Sequence, residues 1–348
     1  MSRVVIKTIA EKMNLSVSTV NRALINKGRI SEQTKQKVLK VANEMGYRPN
    51  IHAKSLASKD ILKIAVVCPS DIYFKDVIEG VKAYEKECEG YRLELIFLGA
   101  DAHTASEQLA VMQECITEDV NGIILSALHP TLLNESLEQY ATAGIPTITV
   151  NNDVLSGNRI AYVGQNGSVA GAMAGELMVN YLPPGSRVAH MATSSVAMGL
   201  RERTASFREA VLSSNKNIEI IGPFEYHDDV RVENNGVDVA VDVLTTQNVQ
   251  GLYANNMVGT RAIAQAIKKA GVQVVTIGHD SNDDINQYIK SGTLSATLFQ
   301  DPFQQGYQSL KLMFEYLYLK IAIRNPLAYI RTSVLMHANL NEGKSMAF

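Results

Sequence analysis

The chain has 348 residues, 33 Lys and Arg, 35 Asp and Glu, a formal net charge of −2 and three cysteines. That length favours two or three units over one small domain, no apolar run approaches the ~20 residues of a membrane span, and MSRVVIKTIA at the start lacks a signal-peptide core with a small-residue cleavage site. Cys68, Cys88 and Cys115 show no metal-ligand spacing, so a reduced, cytoplasmic protein without metal, cofactor or membrane partner is expected.

The charge is uneven along the chain. Residues 1–60 hold 12 Lys and Arg against 4 Asp and Glu, a net of +8, and the remainder holds 21 against 31, a net of −10. A basic head on an acidic body suits a polyanion partner, and a merely solvated basic face has the same composition. In the head, Ile6, Ile9, Ala10 and Met13 recur at helical spacing. Asn14-Leu15-Ser16 breaks the pattern. Ser16 can cap a second helix with a stripe of Val20, Ala23 and Leu24, and Gly28 ends that unit. Ser31 can cap a third helix, where Glu32 suits the positive helix end and Val38, Val41, Ala42 and Met45 form the apolar face.

Three short helices with a tight break after the first predict a helix-turn-helix, whose second helix enters the major groove and presents its first residues to base edges. Ser16, Val17, Ser18, Thr19, Asn21 and Arg22 are the candidate DNA contacts. Val17 could instead join the core, three residues before Val20. Arg22 could bond guanine O6 and N7, or only a phosphate. The pieces IxxIAExxxLSxSTVxRxL, ISExTKxKVL and GYRPNxxAxSL resemble the head of the LacI/GalR (lactose-repressor) family of transcription regulators. Asn21 stands where that family usually has Ser. The resemblance implies a hinge over residues 50–60 that folds on operator DNA and pairs with its dimer mate. There Asn50 caps a short helix, Leu56 wedges into the minor groove and Ala53 lies beside it. That helix, Asn50 to Ser58, is nine residues, too few to be stable alone in water, so a plain linker is the other reading.

From Ile61 onward, short apolar runs alternate with helical stretches: KIAVVC, LELIFLG, GIILSA, PTITV, IAYVG, RVAHMA, IEIIGPF, GLYA, VVTIG and SATLF. This pattern predicts parallel sheets covered on both faces, and ten strands suggest two lobes with a boundary near Asn158 to Gly164. Ligands of such folds bind beyond the carboxyl ends of the strands. Asp71, Tyr73 and Phe74, Asn151 and Asn152, Asn255, Asp280 and Gln300 follow strands there, and Arg203 lies on a following helix. Asn and Asp at strand ends are also ordinary turn formers. Planar polar groups with flat aromatic faces suit a polyhydroxylated ring, whose hydroxyls bond to the first and whose C–H faces stack on the second.

The body, about residues 61–340, resembles the type I periplasmic sugar-binding fold, its ribose-binding members in particular. By that resemblance Tyr73 and Phe74 are stacking aromatics, Arg203 keeps its spacing to Phe207, and Asp71, Asn255, Asp280 and Gln300 are polar ring contacts. Ribose binders carry an acid and an arginine where this chain has Asn151-Asn152, so another monosaccharide, a polyol or a cyclitol fits better than ribose. The expected organisation is a head over 1–49, a hinge over 50–60 and a core over 61–340. Lobe one would take about 61–158 and 293–324, and lobe two 159–292 and 325–340.

No GxxxxGKS, HExxH or GxSxG is present, so an enzyme is not expected. GQNGSVAG lacks dinucleotide-loop spacing and reads as a helix start packed closely on a strand; HDSNDD lacks the glycine and glutamate of a calcium loop and reads as cap and turn chemistry. The polar end NLNEGKSMAF has no leucine heptad of the kind that forms tetramers, which favours a homodimer. The reading is a transcription regulator, a repressor by the family's commoner behaviour, that binds double-stranded operator DNA at the nucleoid under control of a small carbohydrate-like effector. A nucleoside- or purine-responsive regulator, or a solute-binding protein without regulatory role, is the alternative.

Overall fold

The computed structural model describes residues 6–24, 30–45, 61–69, 73–193, 196–226 and 236–340. In the head, α1 (Ile6–Met13), α2 (Val17–Leu24) and α3 (Glu32–Glu44) pack around Ile9, Ala10, Val20, Ala23, Val38 and Ala42. Asn14 turns the chain between α1 and α2 at φ 51°, a left-handed conformation that asparagine tolerates better than most residues. The two serines do the capping expected of them. Ser16 Oγ accepts from the Thr19 amide at 3.1 Å, and Ser31 Oγ accepts from the Thr34 amide at 3.2 Å. Each satisfies a first-turn donor that the helix itself cannot.

Body lobe one has a six-stranded sheet in the order β11-β5-β4-β3-β1-β2, formed by β1 (Leu62–Val67), β2 (Leu93–Leu98), β3 (Gly122–Leu125), β4 (Thr147–Val150), β5 (Arg159–Gln165) and β11 (Leu327–Ile330). All its pairings are parallel. Successive residues of β1 point to opposite faces, so Ile64 and Val66 pack with α4 (Phe74–Glu87) and α12 (Pro302–Leu317), while Ala65 and Val67 pack with α5 (Ala105–Thr117) and α6 (Asn134–Thr142). Lobe two has the order β12-β10-β9-β8-β6-β7, from β6 (Arg187–Thr193), β7 (Glu219–Tyr226), β8 (Gly251–Ala254), β9 (Val275–His279), β10 (Ala296–Phe299) and β12 (Ser333–Leu335). Only β12 runs antiparallel, against β10. Its faces are covered by α7 (Gly167–Tyr181) and α8 (Met198–Leu212) on one side and by α9 (Val237–Thr246), α10 (Met257–Ala270) and α11 (Asp283–Lys290) on the other.

All ten expected strands form, and two short ones, β11 and β12, join them. The lobe boundaries differ from the expected ones. β5 pairs with β4 and β11, so the chain leaves lobe one after Gln165 and not at residue 158. β10 pairs with β9 and therefore belongs to lobe two, and the chain returns to lobe one only with α12. β11 pairs with β5 in lobe one, and the last crossing falls between Ile330 and Ser333. Apolar spacing locates strands but not their partners, and hydrogen-bond pairing decides to which sheet each belongs.

The glycines of GQNGSVAG also have a different neighbour from the one expected. Asn166 caps α7 by accepting from the Val169 amide, so the helix start is as read. The close approach, however, is to α8: a Cβ on Gly167 would stand 2.8 Å from Gly199 O, and one on Gly171 would overlap Arg203 O. These glycines let α7 and α8 touch backbone to backbone, which fixes where Arg203 stands. HDSNDD does act as a cap, with Asn282 Oδ1 accepting from the Ile285 amide at 2.8 Å.

Candidate functional site

Ser16 and the first six residues of α2, apart from buried Val20, form an open face. Ser16, Val17, Ser18, Asn21 and Arg22 are exposed, and Thr19 is half-buried. Val17 is 50% exposed while Val20 is fully buried, which places Val17 on the open face and not in the core. Arg22 folds back along its own helix, its Nε donating to Ser18 O at 3.2 Å. Exchanging that long, solvent-facing bond for a better acceptor costs little. Asn50, Ala53, Leu56 and Asp71 lie outside the described residues.

In the body a cavity of about 340 Å³ opens at the carboxyl ends of both sheets. Tyr73 and Phe74, at the start of α4, supply aromatic walls, their rings edge to face at 5.1 Å. Asn151 and Asn152 enter from the end of β4, Asp280 from the end of β9, Gln300 from the end of β10 and Arg203 from α8. Asn151 and Asp280 sit at φ 63° and 72°. Such conformations cost free energy for non-glycine residues and concentrate at functional sites.

The polar groups are wired together. Asn151 Nδ2 donates to Tyr73 Oη at 2.5 Å and to Gln300 Oε1 at 3.2 Å, and Gln300 Nε2 donates to Asp280 Oδ1 at 2.7 Å. Arg203, 5% exposed, donates from Nε to Gln165 Oε1 at 2.9 Å and from Nη1 to Asn255 O at 3.0 Å. Burial pushes the Asp280 carboxyl above its ordinary range, and Arg203, Gln300 and the Met257 amide pull against that rise. A buried carboxylate and guanidinium therefore face one cavity, each held by neighbours that restrict its rotation.

Of the residues the sequence singled out for this site, Tyr73, Phe74, Asn151, Asn152, Arg203, Asp280 and Gln300 line the cavity. Asn255 does not. Its side chain turns to Thr204 Oγ1 at 3.1 Å, and Asn256 faces the cavity in its place while also capping α10. Sequence reasoning missed Tyr162 and Gln165, whose strand IAYVGQ reads as apolar, and His103 and Thr104 at the start of α5. Polar residues at the ends of β5 and before α5 were the available signal.

A model of the periplasmic binding protein domain matches residues 64–320, and one for bacterial regulatory proteins of the lacI family matches residues 5–50. The chain is a lacI-family regulatory protein with a periplasmic-binding-protein body. It is a DNA-binding transcription regulator, and neither family is one of enzymes. This lacI-family regulator is 30% identical over 150 residues to the HTH-type transcriptional regulator DegA of Bacillus subtilis, covering 42% of this chain and 43% of DegA. Its body is 21% identical over 279 residues to the ribose import binding protein RbsB of Salmonella typhimurium, covering 80% of this chain and 91% of that protein. The body's fold is similar to that of GanP, a glucose-galactose binding protein from Geobacillus stearothermophilus, with a TM-score of 0.70 at 23% identity over 83% of this chain and 100% of GanP. A solute binding protein from Burkholderia graminis, solved with D-arabinose, gives 0.72 at 20% identity over 83% and 98%.

Proposed function

We propose that this regulator is a repressor whose operator affinity is controlled by a small polyhydroxylated effector, a sugar, polyol or cyclitol, bound between the lobes. One observation carries the reading. Aromatic faces from lobe one meet buried Arg203 and Asp280 from lobe two across a cavity at the small end of the range for ligand sites. Tyr73 and Phe74 would cover the C–H face of the ring. Asn151, Asn152, Arg203, Asn256, Asp280, Gln300 and, by the family pattern, Asp71 would bond its hydroxyls. A ligand lacking a hydroxyl would leave a buried group unpaired, which is how such sites select. The sugars named for RbsB, GanP and the arabinose-bound protein support the same class.

The head over residues 1–49 binds one half-site, and two heads of a homodimer span successive major grooves of a pseudo-palindromic operator. The hinge over residues 50–60 joins head to core, with Leu56 as a minor-groove wedge. The eight net positive charges of residues 1–60 neutralise phosphates, so affinity falls steeply with salt. Effector closes the lobes about the three crossing segments and thereby changes the hinge pairing. Such coupling is reciprocal: operator DNA must change effector affinity by the factor by which effector changes operator affinity.

The test is thermal melting of the full chain against sugars, polyols, cyclitols, nucleosides and purines. A compound at 100 times its dissociation constant adds about 2.7 kcal/mol. A response confined to nucleosides or purines would overturn the effector class and leave the DNA-binding function standing. A carbohydrate that binds but leaves operator affinity unchanged would overturn the coupling.

A further inference from the structure

Gln305 lies on the first turn of α12, is fully buried, and is not part of the cavity wall. Its Nε2 donates to the Gln300 backbone carbonyl at 2.9 Å, and its Oε1 accepts from Asn151 Nδ2 at 3.2 Å. A backbone carbonyl can only accept, so the first bond fixes which end of the Gln305 amide points where. The acceptor end then faces Asn151. Asn151 Nδ2 has two protons and three acceptors around it: Tyr73 Oη, Gln300 Oε1 and Gln305 Oε1. Rotating the Asn151 amide by half a turn would set its oxygen against two carbonyl oxygens. Its Oδ1, with no bond to any described residue, is therefore what Asn151 offers to the cavity.

We infer that Gln305 is a positioning residue that sets effector specificity. It relays the polarity of the Gln300 carbonyl to Asn151, so Asn151 presents an acceptor and the effector must present a free hydroxyl opposite it. A ketone, an ether or a fluorine at that position of the ring is rejected. The identity of the donor rests on the carbohydrate reading of the cavity; the orientation of Asn151 does not.

The experiment therefore has two arms, both on the full chain and its Gln305→Met variant, which keeps the length of the side chain and removes both polar ends. The first follows solvent exchange of the Asn151 side-chain amide in protein labelled with 15N-asparagine, the resonance being identified by its loss in Asn151→Asp. The amide is expected to exchange at least tenfold more slowly than exposed asparagine amides, and at least tenfold faster in Gln305→Met while the backbone amides of β4 stay protected. Free exchange in the parent protein, or the same protection in the variant, overturns the inference. The second measures binding of D-galactose, D-arabinose, D-ribose and myo-inositol and of their monodeoxyfluoro analogues. For a sugar that binds, one fluorine position loses about tenfold in the parent protein, the scale of one hydrogen bond, and less in Gln305→Met, where only Gln300 Oε1 still opposes turning of the Asn151 amide. A loss of equal ratio in both proteins, with only a uniform drop in affinity, would make Gln305 merely structural and overturn the relay. If none of the four binds, the carbohydrate reading falls while the exchange arm still decides the orientation of Asn151.

Discussion

His190 gives lobe two an acid-labile core. It sits on β6 with no exposure, stacked on Tyr253 at 5.2 Å between centroids and near Phe207 at 6.0 Å. Neither ring nitrogen has a hydrogen-bond partner among the described residues. Burial first, and the Arg208 charge second, lower its pKa from 6.5 to about 4. The unfolded chain therefore takes up a proton on His190 between those values while the folded chain does not. Stability is fully present above pH 6.5 and is lost as pH falls toward 4, at up to 1.36 kcal/mol per pH unit from this residue, or about 3 kcal/mol across the interval. His190→Phe keeps an aromatic ring beside Phe207 and Tyr253 and removes both unpaired nitrogens. Urea denaturation of the two proteins from pH 7 to pH 4 measures the difference directly, since every other titrating group, His279 included, is common to both. The variant is expected to be at least as stable at pH 7 and to lose about 3 kcal/mol less by pH 4. Identical pH dependence of the two proteins would refute the assignment of this acid sensitivity to a buried neutral imidazole.

Arg22→Ala is expected to relax operator specificity at one base pair by about 1–3 kcal/mol; binding assays on a set of single-base operator variants check this, and an equal loss on every sequence would make Arg22 a phosphate contact. Ser16→Ala removes the hydroxyl that caps α2 and is expected to cost the head about 1 kcal/mol, read as a lower melting transition that Ser16→Asp restores. Arg203→Met leaves Gln165 Oε1 and Asn255 O without their donor and removes the countercharge of Asp280. Effector-induced stabilisation is expected to vanish while operator binding persists, and loss of both would point to a misfolded lobe. Asp280→Asn keeps the shape of the side chain but puts an amide nitrogen or oxygen against Gln300. It is expected to weaken effector binding by at least tenfold and to lower the melting temperature, because buried Arg203 loses its countercharge.

The head was legible in the sequence because its determinants are local. Ser16 and Ser31 cap the helices that follow them within three residues, and the stripe Ile9, Ala10, Val20, Ala23, Val38 and Ala42 closes over a few turns of chain. Ten strands of the body were legible for the same reason, since runs such as GIIL and GLYA, buried throughout, carry their signal in consecutive residues. β11 and β12 were not, because LAYI and SVL are too short to announce themselves and exist through pairing with β5 and β10, more than 30 residues away in sequence. The lobe boundaries followed the same rule: β5 and β10 changed lobes once their partners were known.

For the effector cavity, the sequence marked the strand ends where polar residues gather, because the ends of parallel strands are where such folds place ligands. It could not separate Asn255 from Asn256, which differ only in which way the backbone turns each side chain as β8 gives way to α10. Nor could it pick out Gln165 or Gln305, whose parts depend on Arg203, 38 residues distant from Gln165, and on Asn151, 154 residues distant from Gln305. Composition and periodicity located the head helices and ten strands in two lobes, and the motifs that resemble the LacI/GalR head marked that head as DNA-reading. Only the tertiary structure decided which polar atoms meet in the cavity and which of them donate, because hydrogen-bond direction depends on the full set of neighbours that folding brings together.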